Sequence, residues 1–287
     1  MRRDVYDQLI RVLCVPTCAW PHFKLVAKRF KVPVDSVISI YMQEAQLHVK
    51  RTHHLLKAAA SKYASRYQDG AQLLELCAEA DMFPCMFLRR LLEQVPWTCN
   101  KNAVTKIMRD PTVVKDLVRL NGIDSETAQK LLQDLQGDVQ QCVDCDQVYS
   151  PQADAKRLQL GLQYEQKLNR MLADAGIAFW TEEHLRDKGF FKTPDAKLQV
   201  PIAVKGRIVN WVDSKATFGD TKSHLEYNQE QFSKYVNRYG PGMVIYWFGF
   251  IDDLQGADAD LVLVEDFPSA EDTIQLPQLP IPHDIIS

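Results

Sequence analysis

Hydrophobic residues recur at helical spacing through the first half of the chain. From residue 1 to about residue 135, apolar positions repeat every three or four residues, with prolines in the breaks between segments. This spacing predicts a succession of helices with little strand structure. The pattern changes after the turn at residues 149–151. The sequence therefore predicts a helical region over residues 1–150 and a second domain over residues 151–287.

The second half alternates helical segments with strand-like runs. Helices are predicted at 153–175 and 222–238. The predicted strands are IAFWT (177–181), LQVPIAV (198–204), GRIVNWVDSKA (206–216), MVIYWFGFI (243–251) and DLVLV (260–264). The run 243–251 is apolar throughout, which is typical of a strand covered on both faces. Strands interleaved with helices predict an α/β domain whose sheet is flanked by helices.

Charge is distributed unevenly, although the net charge is only -3. Residues 1–70 carry 12 Lys and Arg against 5 Asp and Glu, whereas residues 251–287 carry 9 acids and no Lys or Arg. A basic first segment is compatible with polyanion binding. The acidic tail is a candidate partner-docking segment or an internal mimic of phosphate. The alternative is that both segments are simply solvated surface.

Residues 23–43, FKLVAKRFKVPVDSVISIYMQ, have the layout of a helix-turn-helix. Ala27 is predicted where the two helices cross, and Asp35 or Ser36 is predicted to cap the second helix. Lys31 stands where such turns often have glycine. Residues 76–94 repeat the spacing more weakly when Pro84 is aligned with Pro33.

A helix-turn-helix that reads DNA needs polar or basic residues on its outer face. The outer face here offers Ser36, Ser39 and Gln43. Basic residues nearby are predicted to contact phosphates: Lys24, Lys28, Arg29, Lys31, Lys50 and Arg51. The alternative is that the helix pairs form a structural or protein-binding bundle.

Several classes of protein are disfavoured by the sequence. No stretch approaches the roughly 20 apolar residues of a membrane span, and the first residues lack a secretory signal. Seven cysteines, an odd number, favour reduced thiols and an intracellular location. Cys142 and Cys145 have half of a zinc-site spacing without a second pair, so ordinary thiols are predicted rather than zinc.

The chemistry is predicted where two strand-like runs flank Lys205-Gly206, a natural hairpin turn. An antiparallel hairpin would bring Asp195 near Asp213 and Lys215. Two carboxylates and a lysine are the catalytic groups of a metal-dependent phosphodiesterase. The carboxylate oxygens bind Mg²⁺, and the metal and the lysine activate the attacking water and neutralise the negative charge that develops on the phosphate. A third carboxylate, Glu165, lies on the preceding helix at the edge of a predicted buried stripe that includes Leu162.

The hairpin register tests this site. A plain two-residue turn at Lys205-Gly206 pairs positions that sum to 411, so Asp195 and Asp213 would point to opposite faces. The site therefore requires a bulge or a three-residue loop, which would shift the sum to 410 or 412. Pro201 is a plausible bulge point, because proline lacks the N–H that a strand ladder uses.

The order of these residues resembles the PD-(D/E)XK nuclease superfamily, which has the restriction-endonuclease-like fold with a mixed sheet. The matching elements are Glu165, then Thr193-Pro194-Asp195, then Asp213-Ser214-Lys215. Gln231 to Tyr235, QFSKY, matches the QxxxY element of its exonuclease-type members. Over roughly 155–265 the sequence looks like one animal family, the codanin-1-interacting nucleases. It has Asp213 where glutamate is expected.

The resemblance implies a Mg²⁺- or Mn²⁺-dependent nuclease. DNA is the favoured nucleic acid, although the sequence does not distinguish DNA from RNA as the substrate. The resemblance also implies codanin-1 as partner, location in nucleus and cytoplasm, and a link to chromatin and red-cell maturation. The implied metal ligands are Asp195, Asp213, the Ser214 carbonyl and, as an auxiliary, Glu165. Lys215 would assist the attacking water, with Gln231 and Tyr235 orienting substrate or Lys215.

Two alternatives to a nuclease stay open. In the first, the nuclease fold is a catalytically weak or inactive adaptor that binds codanin-1. In the second, the helical region is a sequence-specific DNA-binding domain. His224, on the QxxxY helix, is predicted to be a partly buried structural residue rather than a substrate contact.

Overall fold

The computed structural model describes residues 1–13, 22–94, 97–98, 100–120 and 125–275. Two compact units divide the chain. The helical unit is Leu9–Gln159, and the sheet unit combines Met1–Gln8 with Leu160–Ser287. The domain boundary at residues 150/151 stays a prediction. Cys14, Cys18 and Cys99, and with them any pairing of Cys14 and Cys18 in a zinc site, lie outside the described residues.

The helical unit is built from helices joined by short turns. Its elements are the C-terminal part of α1 (Arg3–Leu13), then α2 (Phe23–Phe30), α3 (Val34–Gln68), α4 (Leu73–Glu79), α5 (Pro84–Leu91), α6 (Lys101–Arg109), α7 (Val114–Leu117) and α8 (Ser125–Cys145), with two short antiparallel strands, β1 (Trp97–Thr98) and β2 (Arg119–Leu120). The two strands are absent from the predicted pattern, because a run of two residues has no measurable alternation.

Helices α2 and α3 form the predicted helix-turn-helix core. Ala27, Val37 and Ile40 are buried between them. The turn residue Lys31 has a φ of 56°, the left-handed conformation that favours glycine. The Val32 amide closes the turn by donating to the Ala27 carbonyl at 3.1 Å.

The second helix pair, α4 and α5, repeats this turn with an offset of 50 residues. Asp81 has a φ of 47°, like Lys31, and the Met82 amide donates to the Cys77 carbonyl at 3.1 Å. The alignment of Pro84 with Pro33 was therefore wrong by one residue. Two prolines guided it, but Pro33 precedes its helix whereas Pro84 is the first residue of its helix.

Two further expectations for α3 were wrong. The helix begins after Pro33, and neither Asp35 nor Ser36 occupies the N-cap position. Ser36 and Ser39 are buried, not exposed on an outer face. The reason is that α3 packs against both α2 and α5, so more than one side of this helix is covered. Short serine side chains permit that close packing.

The sheet unit contains one mixed sheet with helices. Its elements are the C-terminal part of α9 (Pro151–Asp174), then β3 (Phe179–Thr181), α10 (Glu182–Asp187), β4 (Ala196–Val204), β5 (Arg207–Lys215), α11 (Thr221–Tyr227), α12 (Ser233–Tyr239), β6 (Gly242–Tyr246), β7 (Leu261–Val264) and β8 (Thr273–Gln275). A π-helical turn, Asn228–Phe232, joins α11 to α12.

The strand order is β3-β4-β5-β6-β7, with β8 paired to β4. Strands β3, β4 and β5 are antiparallel neighbours, whereas β5, β6 and β7 are parallel. The fold class predicted from the sequence, an α/β sheet unit preceded by a helical region, is confirmed. Strand β6 ends at Tyr246, short of the predicted 251, because the chain turns at residues 247–249.

The β4–β5 hairpin contains the predicted bulge. Near the tip, Val204 pairs with Arg207 and Ile202 with Val209, which both sum to 411. Beyond an irregularity between Lys197 and Ile202, Ala196 pairs with Val212, which sums to 408. The bulge thus shifts the register by three positions and exchanges the faces. The tip keeps its two-residue turn, with Lys205 and Gly206 both at positive φ, as a type I′ turn requires.

An apolar core fixes the sheet against α9. It comprises Leu168, Leu172, Ile177, Ala196, Leu198, Ile202, Val204, Val209, Val212, Met243, Ile245, Val262 and Val264. The first residues of α1 also belong to this unit, because Arg3 pairs with Asp253 at 2.7 Å and Tyr6 stacks on Phe218. Among the described helices, none has both the length and the apolar character that a bilayer span needs.

Candidate active site

The register shift places the two aspartates on the same face of the hairpin. Continuing the pairing of Ala196 with Val212 by one residue sets Asp195 opposite Asp213. Directly opposed residues in an antiparallel pair have Cβ atoms about 5 Å apart. Asp213 lies at the start of the parallel ladder with β6, paired with Val244, and is only 1% exposed. Two acids therefore meet inside the protein.

Asp195 is held in place by backbone. Its Oδ2 accepts a hydrogen bond from the Ser214 amide at 2.7 Å. Burial raises the pKa of the Asp195 carboxyl well above its ordinary value, and the like charge of Asp213 raises it further. The Lys215 ammonium and the Ser214 amide act in the opposite direction without cancelling these effects.

Lys215 connects the acid pair to the helix that follows. Its Nζ lies 2.5 Å from Asp213 Oδ1 and donates to Gln231 Oε1 at 2.9 Å. Burial lowers the pKa of Lys215, but the charges of Asp213 and Asp195 outweigh it and leave the pKa raised. Lys215 is therefore a charged ammonium at neutral pH. The rings of Tyr227 and Phe232 lie 5.1 and 5.6 Å from Nζ.

Gln231 belongs to the π-helical turn, Asn228–Phe232. Such turns widen a helix by one residue and often occur at functional sites. Tyr235, one turn later, is buried, with its ring edge against Trp211. Burial raises the pKa of the Tyr235 hydroxyl, as do the charges of Asp213 and Asp195, so it stays protonated.

Glu165 approaches the acid pair from α9. Burial raises the pKa of the Glu165 carboxyl, followed by the charges of Glu182 and Asp213. The predicted buried stripe beside it was wrong at Leu162, which is 49% exposed, whereas Leu168 is buried as expected. The stripe begins six residues later, nearly two helical turns, because the core contacts of α9 start at Leu168.

Sequence reasoning missed two neighbours of the site. Glu182, on α10, accepts a hydrogen bond from the Thr193 hydroxyl at 3.3 Å and pairs with Arg186 at 2.7 Å. Trp247 donates from Nε1 to Ser214 Oγ at 2.7 Å. Neither Glu182, on a short helix, nor Trp247, in an apolar run, belongs to a recognisable sequence motif. Their proximity to the site is therefore visible only in the folded structure.

The remaining candidate residues belong to other elements of the chain. His224 is buried, with Nδ1 2.9 Å from the Tyr246 hydroxyl, and burial lowers its pKa. This placement agrees with a structural histidine. The basic residues proposed for phosphate contact lie in the helical unit and are exposed: Lys24, Lys28, Arg29, Lys31, Lys50 and Arg51. Their contact with nucleic acid stays a prediction.

The acid pair has the chemistry of a divalent-cation site. Oxygen donors are the ligands that Mg²⁺ and Mn²⁺ prefer, and two buried like charges are stabilised by a cation between them. Throughout the described residues, no three His, Cys, Asp or Glu side chains are gathered into a metal-binding group. Glu165 thus interacts with Asp213 electrostatically but stands outside a three-carboxylate cluster, and the fit rests on Asp195 and Asp213 with backbone oxygen nearby.

Comparisons with known proteins agree with the geometry. Residues 131–267 match a family model described as "Protein of unknown function TPD sequence-motif". The human "CDAN1-interacting nuclease 1" is 34% identical over 280 residues, covering 92% of this chain and 94% of that protein. The proteins of the same name from Bos taurus and Mus musculus are 35% and 37% identical, covering 87% and 82% of this chain and 88% and 83% of their own lengths.

No solved structure matches this chain significantly. The similarity to the curated relatives spans both units and includes the strands that carry Asp195, Asp213 and Lys215. The chain belongs to the CDAN1-interacting nuclease 1 family.

Proposed function

We propose that this protein hydrolyses phosphodiester bonds of nucleic acid, with DNA preferred to RNA, in a reaction that depends on Mg²⁺ or Mn²⁺. The observation that carries the proposal is the acid pair: Asp213 is buried in β5, the half-buried Asp195 lies opposite it directly before β4, and the Lys215 ammonium is 2.5 Å from Asp213. Like charges that are close together and shielded from water destabilise a fold unless they are paired with an opposite charge. Such groups are common at functional sites. The raised pKa of Asp195 shows that ionising this carboxyl is unfavourable, because of burial and of the charge on Asp213.

The residues that would hold the metal are Asp195, Asp213 and the Ser214 carbonyl, with Glu165 as an auxiliary carboxylate. A bound Mg²⁺ or Mn²⁺ supplies a Lewis acid that lowers the pKa of water and neutralises phosphate charge. Both carboxylates are already held in position without the metal. The Ser214 amide orients Asp195, and Trp247 orients Ser214 through its hydroxyl.

Lys215 acts as a fixed positive charge. Because its pKa is raised, it carries a proton at neutral pH and does not remove one from water. Its ammonium can donate to a nucleophilic water or to a phosphate oxygen, where the negative charge grows in the transition state. Gln231 holds Nζ in that position through the 2.9 Å hydrogen bond. Tyr235, which stays protonated because its pKa is raised, would offer a further donor to substrate.

The test combines metal binding with cleavage. Isothermal calorimetry with Mg²⁺ and Mn²⁺ is run on the wild type, Asp195→Ala and Lys215→Met, beside cleavage of labelled single-stranded, duplex and flap DNA and of RNA. Asp195→Ala should lose both metal binding and cleavage, whereas Lys215→Met should keep metal binding and lose cleavage. Asp220→Asn is the matched control, since it neutralises a buried acid of the same unit and keeps an N-cap that asparagine also forms.

A wild type that binds no divalent cation and cleaves none of these substrates refutes the proposal. Cleavage that survives Asp195→Ala refutes the assignment of the site. Metal binding without cleavage of any substrate contradicts the nuclease reaction and favours the alternative below.

A second function is favoured by the names of the relatives. Those proteins are called CDAN1-interacting nucleases and align with 82% to 92% of this chain. We therefore also propose codanin-1 as a partner, in nucleus and cytoplasm. Co-purification of codanin-1 with the wild type and with Asp195→Ala tests it. Equal binding by both makes docking independent of the acid pair, and absence of binding by the wild type overturns the partnership.

A further inference from the structure

Two adjacent phenylalanines lie in the loop that leads from α10 to Asp195. Phe190 is 40% exposed and Phe191 is 82% exposed. Nothing in the proposed cleavage chemistry uses them. An aromatic side chain this exposed, four residues before a proposed metal ligand, forgoes the burial that normally stabilises phenylalanine.

The start of this loop is fixed by the end of α10. The Phe190 amide donates to the Leu185 carbonyl at 3.1 Å, and the Gly189 amide donates to the Arg186 carbonyl at 2.8 Å. This pair of bonds is a Schellman motif, whose left-handed position is occupied by Gly189 with a φ of 81°. The direction in which the chain leaves α10 is therefore set.

The end of the loop is fixed by Arg238 from α12. Its Nη1 donates to the Phe191 carbonyl at 2.6 Å and to the Lys192 carbonyl at 3.3 Å, and its guanidinium lies 5.9 Å from the Phe190 ring. Lys192 has a φ of 54°, which non-glycine residues rarely adopt. Phe191 is thus displayed to solvent by a loop that is held on both sides, not by a loose chain.

The surroundings of Phe191 favour an anion. Residues 186–192 contain three cations, Arg186, Lys188 and Lys192, against one acid, Asp187. Lys188 also lies 4.7 Å from the Trp180 ring. Four residues of extended chain span at most about 14 Å, which limits the distance between Phe191 and Asp195. Stacked nucleotides are about 3.4 Å apart along a strand, so this distance corresponds to about four nucleotides.

We propose that Phe191 stacks on a nucleobase of the substrate within about four nucleotides of the cleaved phosphate. This inference rests on the proposed nuclease function. Stacking beside the cut needs a base whose face is not covered by its neighbours in a duplex, so the site selects unpaired nucleotides over base-paired ones. Arg238 is a positioning residue that holds the loop, and Lys188 and Lys192 attract the adjoining phosphates.

The test measures binding apart from catalysis. Fluorescence anisotropy in EDTA follows a labelled 20-nucleotide single strand and a blunt 20-base-pair duplex on the wild type, Phe191→Ala, Phe191→Leu and Phe191→Trp. Loss of one stacked base weakens binding about 5- to 150-fold. We expect that loss for Ala and Leu on the single strand, near-wild-type binding for Trp, and little change on the duplex.

Ile208→Ala is the matched control, because Ile208 is also an exposed apolar residue, 59% exposed, at the hairpin tip. Its binding should equal that of the wild type. Since Phe191 is exposed, its variants should keep the wild-type melting temperature. Comparing Phe191→Leu with Phe191→Ala separates loss of the aromatic ring from loss of side-chain size.

Each result decides between the two proposals. If the wild type binds and cleaves nucleic acid but Phe191→Ala matches Ile208→Ala, stacking is overturned and the nuclease function stands. Equal losses on single strand and duplex, or a Leu variant as tight as wild type, also overturn stacking. If the wild type binds neither probe and cleaves nothing, the nuclease function itself fails, and the stacking inference fails with it.

Discussion

Asp195→Asn should stabilise the metal-free protein. Two carboxylates about 5 Å apart repel by about 3 kcal/mol at an effective dielectric constant near 20. The Lys215 ammonium, 2.5 Å from Asp213, offsets part of this repulsion. Asparagine keeps an oxygen for the Ser214 amide and removes the charge, so a net gain of about 1–2 kcal/mol in unfolding free energy is expected. That gain corresponds to a melting temperature about 2–8 °C higher.

The pH dependence follows from the raised pKa of Asp195. The folded state binds this proton more tightly than the unfolded chain, whose carboxyl has a pKa of about 3.9. Wild-type stability therefore falls as pH rises from about 4 through the raised folded pKa. The advantage of Asp195→Asn is full above the folded pKa, shrinks as pH falls through it, and vanishes below about pH 4.

The assay is thermal unfolding in EDTA from pH 4 to pH 8, repeated with Mg²⁺. Asp146→Asn is the matched control: Asp146 is also an acid shielded from solvent, but it accepts hydrogen bonds from the amides of Cys85, Val148 and Tyr149. Replacing one acceptor oxygen by an NH₂ group should cost about 1–3 kcal/mol. If Asp195→Asn is as destabilising as Asp146→Asn at pH 7.5, the acids do not repel and the reasoning is refuted. Added Mg²⁺ should raise the melting temperature of the wild type and of Asp146→Asn, but not that of Asp195→Asn.

Three further changes have defined outcomes. Gln231→Ala should lower turnover about 10- to 100-fold with unchanged stability, because it frees Lys215 without removing a ligand; unchanged turnover would contradict this. Gly242→Ala should lower the unfolding free energy by about 3 kcal/mol in urea titrations, since its Cβ would overlap the buried Trp211 ring; wild-type stability would contradict this. Truncation after Phe267 should melt several degrees below truncation after Gln275, because only the longer chain retains β8 on β4; equal melting curves would contradict this.

The hairpin shows how far sequence reasoning reaches. The alternation of faces along a strand is strict, so the need to bring Asp195 and Asp213 together was enough to predict a bulge, and the bulge is confirmed. The predicted size was wrong: a shift of one position, to a sum of 410 or 412, was expected, and the bulge shifts the pairing by three positions, to 408. The size depends on how residues 198–201 lie between β3 and β8, and the pairing of β8 has no local signal in the sequence.

Other features escaped prediction for physical reasons. A π-helical turn differs from an α-helix by one residue, and the apolar spacing of residues 221–239 does not reveal it. The burial of Ser36 and Ser39 depends on a second packing partner of α3, which is a tertiary fact. The exposure of Phe191 contradicts its hydrophobicity, so only the structure could separate it from core aromatics such as Trp211.

The register shift in β4 has a consequence for how this family can vary in length. The hairpin tip, with Lys205 and Gly206 in a two-residue turn, and the acid pair are separated by the irregular segment after Lys197. Loss or gain of a single residue in that segment would turn Asp195 away from Asp213, even though every residue of the site were retained. Insertions at the exposed turn lengthen the loop but leave the pairing of the two aspartates intact. Chains of this family that cleave are thus constrained in the number of residues of the irregular segment, not only in the type of their site residues.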